Sequence, residues 1–307
     1  LRPFLKWAGG KRQLLPALRA YYPERVGRYI EPFLGSGAVF FDLWSTGRLE
    51  GRPVVLGDGN PDLIGCYRCL RDRADDVIAD LAALAEGHAR DGAAHYYDVR
   101  DGRFNPARDE WRARGGTAAD YTPALAAMLI YLNRTGYNGL FRQNARGVFN
   151  VPAGRYARPR ILDEACLREV SRVLSSPGVE LVDAPFERVL ARARRGDFVY
   201  LDPPYAPLSV TSAFRSYTAQ RFSTDDQARL QAAVVALAAR GVSVLLSNST
   251  APEIRRLYER NAAARDAGLR ARRVPARRAI NSRADRRGVV EELLVTNLPA
   301  RQRTSVQ

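Results

Sequence analysis

The chain has 307 residues, 46% of them hydrophobic and 26% charged, enough to bury one large core or two modest ones. No run of about 18 apolar residues occurs, which excludes a membrane-spanning helix. A formal net charge of +15 points to a polyanionic partner, nucleic acid first, with a merely arginine-decorated surface as the alternative.

The chain opens at Leu1 rather than Met, as a trimmed N-terminus would. Leu5-Lys6-Trp7-Ala8-Gly9-Gly10-Lys11 comes first, and the spacing of Leu14, Leu15 and Leu18 then predicts a helix over 13–22. Two glycines ahead of a helix let the backbone approach a ligand closely. Of the 48 basic residues only Lys6 and Lys11 are lysine. A compact ammonium enters pockets that a planar guanidinium does not fit.

Tyr29 to Phe41 reads as strand, glycine turn and helix, the first βα unit of a nucleotide-binding sheet. The turn, Glu31-Pro32-Phe33-Leu34-Gly35-Ser36-Gly37, is not a full GxGxxG, because Phe40 occupies the last position. Pro53 to Gly57 is a second strand with Asp58 at its tip. A carboxylate there receives ribose hydroxyls or caps the helix that starts near Pro61.

Cys66-Tyr67-Arg68-Cys69 is a CxxC, but the other candidate ligands are Cys166, His88 and His95. A zinc site needs a second pair, so the two cysteines are read as core residues on a helix face and no metal is expected. Three cysteines without dense pairing fit a reducing, cytoplasmic compartment.

A helix is predicted from Asp72 to Leu84. His88 to Thr122 is polar and punctuated by glycine. Ala124 to Leu132 is an apolar helix. From Asn133 to Tyr156 basic, amide and aromatic residues surround glycines, and the Asn-Gly and Arg-Gly steps predict tight turns or a hairpin. The segment reads as an inserted recognition subdomain. Strands then return at Val179 to Val182 and Phe198 to Leu201, with a helix from Phe186 to Arg194 between them. Thr224 to Ala239 is a helix capped by Ser223, Val242 to Leu246 a buried strand, and Pro252 to Ala264 a helix. The arginine-rich stretch Arg270 to Arg287 is expected to be a disordered or phosphate-facing loop, and Val289 to Thr296 a final strand.

Asp202-Pro203-Pro204-Tyr205 follows the buried Phe198 to Leu201 run. It sets a carboxylate, a carbonyl and an aromatic ring at the carboxyl end of a strand, where open α/β sheets carry their chemistry. The prolines restrict the turn. Such a group suits an amino nitrogen on a planar ring.

In order, the lysine motif, the glycine turn, Asp58, Leu132-Asn133-Arg134, Gly136 to Arg142, Phe149-Asn150-Val151-Pro152 and Asp202 to Leu208 resemble the Dam-type (D12 class) DNA adenine-N6 methyltransferases over most of the chain. The resemblance implies an α/β fold: a Rossmann-like, mostly parallel seven-stranded methyltransferase sheet with an inserted, mainly helical target-recognition domain containing a β-hairpin. It implies a cofactor domain over 1–62 and 163–307 and a recognition domain over 63–162. It implies S-adenosylmethionine as cofactor, double-stranded DNA as partner and a monomer.

Carried over residue by residue, the cofactor set is Trp7, Ala8, Gly9, Gly10, Lys11, Glu31, Pro32, Phe33, Gly35, Ser36, Gly37, Asp58, Phe186 and Asp202. Lys11 would approach the methionine end and Asp58 the ribose. Asp202, Pro203, Pro204 and Tyr205 would be catalytic. The DNA set is Lys6, Arg134, Tyr137, Asn138, Leu140, Arg142, Asn144, Pro152 and Tyr156. Arg142 would read a guanine, Leu140 and Pro152 a thymine methyl, Tyr137 would wedge into the duplex and Asn138 hold the orphaned thymine. GATC is the expected target. The family's Asp-Phe pair beside the cofactor adenine is replaced by Pro185-Phe186, with Asp183 further back. Two rivals share some of these features: a methyltransferase acting on RNA or on a protein glutamine, and a DNA-binding module without catalysis.

Overall fold

The computed structural model describes residues 1–7, 11–205, 222–277 and 289–300. Their seven strands form one sheet. They are β1 (Tyr29–Glu31), β2 (Val54–Asp58), β3 (Val179–Asp183), β4 (Phe198–Leu201), β5 (Ser243–Ser249), β6 (Arg270–Arg277) and β7 (Val289–Thr296). The order is β3-β2-β1-β4-β5-β7-β6. The first five run parallel, and β7 lies antiparallel between β5 and β6.

Every residue of β1 and β4 is buried, as are four of the five in β2. Near-continuous apolar runs are what a parallel sheet covered on both faces requires. Successive side chains alternate between two cores. Tyr29, Leu56, Phe198, Tyr200 and Leu245 face one, while Ile30, Val55, Val199, Leu201 and Leu246 face the other. Each fully buried side chain of this size contributes about 1.5–3 kcal/mol of transfer free energy.

Twelve α-helices accompany the sheet among the described residues: α1 (Leu15–Leu18), α2 (Ala38–Ser45), α3 (Pro61–Asp72), α4 (Ala74–Asp91), α5 (Ala93–Tyr97), α6 (Asn105–Ala113), α7 (Pro123–Thr135), α8 (Glu164–Leu174), α9 (Phe186–Leu190), α10 (Thr224–Ala239), α11 (Pro252–Tyr258) and α12 (Ala262–Asp266). Residues 74–162 add no strand to the sheet. Their apolar side chains, among them Leu81, Tyr96, Phe104 and Met128, continue the first core without a break. α7 begins at Pro123 behind a Thr122 cap, and Ser223 caps α10 with a reciprocal Asp226 contact.

Several expectations change. The polar stretch 88–122 is largely helical, through the end of α4, α5, a π-helical turn at Asp98–Phe104 and α6. Its buried face comprises Tyr96, Val99, Phe104, Arg108 and Trp111, and an arginine in that row hides the apolar period. The helix expected over 252–264 is two helices, because Asn261 caps the second. The helix begun at Phe186 ends at Leu190. Arg270–Arg277, expected as loop, is strand β6, paired with β7 along its length. Residues 278–287 lie outside the described residues.

Candidate active site

The ends of β1, β2 and β4 converge, and each delivers a carboxylate. Glu31 closes β1 and is 2% exposed. It accepts the Tyr29 hydroxyl at 2.7 Å, and burial pushes it up to about 8. Asp58 closes β2. Its two oxygens accept the Gly35 amide at 3.1 Å and the Asn60 amide at 3.0 Å, and burial pushes it up to about 6. It is not the cap of α3, because Asn60 takes that role by accepting the Asp62 amide. Asp58 is thus a shaped acceptor with lone pairs to spare beside the glycine turn.

In that turn Gly35 and Gly37 have φ +48° and +65°, a region side chains avoid. A Cβ on Gly35 would lie 2.9 Å from the Trp7 ring. Ser36 is buried. Phe33, next to Pro32, stacks on Phe186 at 5.5 Å, and Phe222 packs edge-on against Phe33. An apolar wall therefore stands where the resemblance sets the adenine, and Phe186 belongs to it despite Pro185. Asp183 pairs with Asp58 across β3 and β2. Ala8, Gly9 and Gly10 lie outside the described residues.

Asp202 follows β4. Lys11, 5% exposed, places its ammonium 3.0 Å from Asp202 Oδ1 and 3.8 Å from Glu292 Oε2. The same ammonium lies 4.4 Å from the centroid of the Tyr205 ring. Ser247 donates to Asp202 Oδ1 at 3.1 Å. Burial pushes Asp202 up to about 6 against the opposing pull of Lys11. Tyr205, held well above the ordinary phenol range by burial and then by the nearby carboxylates, donates to Glu292 Oε2 at 2.6 Å. Gln227 donates to the Pro204 carbonyl at 3.0 Å and is fixed by Asn248. The prolines restrict the turn, and Gln227 holds it at the Pro204 carbonyl.

Ser247, Gln227 and Glu292 join the site without belonging to any of the motifs that mark it in the sequence. The one local signal is a pair of glutamates, Glu291 and Glu292, inside an apolar final strand.

The segment after α7 folds back as a hairpin. Gln143 pairs with Phe149, and Gly136 with Ala153. Asn144 closes the turn by accepting the Arg146 and Val148 amides. Helix α6 grips it from below. Asn105 makes both backbone hydrogen bonds of Phe149 at 3.0 Å, and Arg108 donates to the Gly147 carbonyl while forming a buried two-pronged pair with Asp62 at 2.7 and 2.8 Å.

Asn133 ties this segment to the N-terminal motif through Lys6 and Gly139. Asn138 sits in the left-handed region at φ 54°. Tyr137 and Tyr156 are 41% and 37% exposed. The Lys6 ammonium lies 4.2 Å from the Tyr156 ring centroid, and the Tyr137 amide bonds the Pro152 carbonyl. Arg142 is aligned by Asn150, through Nε to Oδ1 at 2.9 Å and Nη2 to the carbonyl at 3.1 Å. Leu140 is half-buried against the first core. Arg134 is also largely buried, its Nε without a partner. Trp7 stacks at 5.9 Å on Phe141, which lies between Leu140 and Arg142 in the chain.

A recess of about 790 Å³ lies elsewhere, between α4 and the loop bearing Arg155, Arg158 and Arg160. The Cys66 and Cys69 thiols are buried against the Ala126 and Tyr121 carbonyls. Among the described residues no helix is long and apolar enough to cross a membrane, and no cluster of metal-ligating side chains occurs.

The model of the family described as D12 class N6 adenine-specific DNA methyltransferase matches residues 7–271. The chain is 38% identical over 308 residues to the type II methyltransferase M.MjaIII of Methanocaldococcus jannaschii, covering 97% of this chain and 99% of that one. It is 37% identical to the type II methyltransferase M1.LlaDCHI of Lactococcus lactis subsp. cremoris, covering 97% and 95%. It is 34% identical to the DNA adenine methylase of Escherichia coli strain K12, covering 97% and 96%. With its sheet, its lysine and acidic-turn site and these relatives together, the chain belongs to the D12 class of N6 adenine-specific DNA methyltransferases.

Proposed function

We propose that the chain methylates adenine N6 within GATC in double-stranded DNA, with S-adenosylmethionine as donor and the target adenine flipped out of the helix. The observation that carries this reading is the enclosure of Asp202 and Tyr205 by Lys11, Ser247 and Glu292 at the end of β4.

The residues present fit the cofactor. Two left-handed glycines leave a cradle that a Cβ would fill, Asp58 offers a preshaped carboxylate for hydroxyls, and Phe33 and Phe186 supply a flat apolar wall. Trp7, Lys11, Glu31, Asp58 and Phe186 are the residues that would hold it. When bound, S-adenosylmethionine supplies an electrophilic methyl on a sulfonium.

The protein's part is orientation and charge. Asp202 and the Pro203 carbonyl accept the two hydrogens of N6, which turns its delocalised lone pair toward the methyl group. A carboxylate with a pKa near 6 is ionised at neutral pH and still basic enough to take the proton that N6 sheds. The Tyr205 ring stacks on the flipped base. An adenine inside the duplex does not reach this depth, so extrusion is required, with Tyr137 filling the gap and Asn138 meeting the orphaned thymine. Residues 63–162 act as the target-recognition domain. Within it Arg142, presented by Asn150, reads guanine O6 and N7, Leu140 and Pro152 meet a thymine methyl, and Lys6, Arg134, Asn144 and Tyr156 serve base or phosphate contacts.

The test is methylation of plasmid DNA with labelled cofactor, followed by mapping of the modified bases. Label in N6-methyladenine at GATC supports the proposal. Label in cytosine, at adenines without a common sequence, or absent altogether refutes it.

A further inference from the structure

We propose that Glu292 is a positioning residue of this site: its carboxylate anchors the Tyr205 hydroxyl and is the second counter-ion that receives Lys11 when Asp202 takes up the target amino group. The inference rests on the reading of Asp202 as acceptor of adenine N6.

As the site stands, Asp202 Oδ1 is already engaged, by Lys11 at 3.0 Å and by Ser247 at 3.1 Å. An amino group that takes up Oδ1 displaces at least part of that arrangement. The Lys11 ammonium is 5% exposed, and a buried cation does not move to a place without a counter-charge. Glu292 Oε2 lies 3.8 Å away, so a shift of about 1 Å completes a charge-assisted hydrogen bond there. The Tyr205 ring lies beside the ammonium at 4.4 Å, so a short shift keeps the cation near its face.

Glu292 is placed for this by backbone. It sits on β7 with strand partners on both sides, Ser249 and Val274, next to the fully buried Leu293 and Leu294. Its neighbour Glu291 projects to the opposite face, as strand alternation requires, and makes a solvent-exposed pair with Arg273 at 3.6 Å. Two adjacent glutamates thus have different work. One is a surface ion pair. The other enters the site and holds the aromatic ring on which the base stacks.

The charged and titratable groups around Asp202 are Lys11, Glu31, Tyr200, Tyr205 and Glu292. Glu292 raises Asp202 while Lys11 lowers it. Replacing Glu292 by glutamine keeps an acceptor for Tyr205, removes the charge, and leaves Lys11 tied to Asp202.

The two lysines make the test direct. Carbon-13 labelling at lysine Cε gives two signals, and Lys6→Arg assigns them. In the cofactor-free parent the Lys11 signal titrates with a midpoint near 6 as Asp202 ionises. In Glu292→Gln that midpoint moves to lower pH, and single-turnover methylation of a GATC duplex slows about tenfold or more while duplex affinity stays within about twofold. Tyr205→Phe slows the reaction as well, and combined with Glu292→Leu, which removes both the charge and the acceptor for Tyr205, it is no slower than Glu292→Leu alone, because the two side chains share one contact. An unmoved Lys11 midpoint, a parental rate in Glu292→Gln, or fully additive losses overturns the inference. A parent that methylates no adenine refutes the proposed function instead, and the lysine titration still decides the contact.

Discussion

The Lys11 ammonium lies 3.0 Å from Asp202 Oδ1, which sets one of the two lysines on the carboxylate proposed to receive the target nitrogen. Burial raises Asp202 to about 6 and Lys11 opposes that rise. Activity that needs the ionised form falls as pH drops through about 6. Lys11→Gln removes the opposing charge, so the acidic limb moves to higher pH. Methyl-transfer rates across pH 5–9, a range of roughly the usual span for such profiles, check this; a limb that stays or moves down contradicts it. Asp202→Ala costs about 10²–10³ in rate, the usual loss for one preorganised group.

Arg142 is aligned by two contacts to Asn150. Arg142→Ala is expected to lower discrimination at one guanine by about 1–3 kcal/mol. Asn150→Ala leaves the guanidinium present but unaligned, and lowers discrimination less. Methylation of GATC duplexes with that guanine replaced measures both. Equal discrimination in the parent and Arg142→Ala removes Arg142 from base reading.

Arg108 and Asp62 are 1% exposed and join α6 to α3, with Arg108 also holding the hairpin turn at Gly147. Asp62→Ala strands a buried guanidinium and is expected to cost about 3–5 kcal/mol. The double change Asp62→Leu with Arg108→Met, which buries no charge, costs less than the single one. Urea unfolding measures the order, and a double variant less stable than Asp62→Ala reverses the expectation.

Glu31 ionises near 4.5 in an unfolded chain and near 8 in place. The folded pKa is the higher one, so the unfolded state loses its proton first as pH rises. Stability present below 4.5 is therefore withdrawn between 4.5 and 8. Glu31→Gln removes that slope. Its melting temperature is expected to exceed the parent's at pH 8 by a few degrees and to match it near pH 4.5. A larger gap at the acidic end means that the carboxylate is stabilised by its Tyr29 contact rather than taxed by burial.

What the sequence determined by itself was local and periodic. Apolar runs marked β1, β2, β4 and β5, a Ser223 cap marked α10, glycines marked the turn at Gly35 and Gly37, and the order of short motifs marked the family. These signals lie within a few residues of one another, where backbone sterics and side-chain period act. The tertiary structure alone decided what distant segments do together. Glu292 is 90 residues past Asp202, yet the antiparallel seating of β7 against β5 brings it to Tyr205 and Lys11. Arg108 reads as one more arginine until Asp62 is folded against it. Arg270–Arg277 reads as loop until β7 supplies the hydrogen bonds that make it a strand. A carboxylate, a guanidinium or an edge strand takes its role from a partner, and pairing across the chain is energetic information that local propensity does not contain.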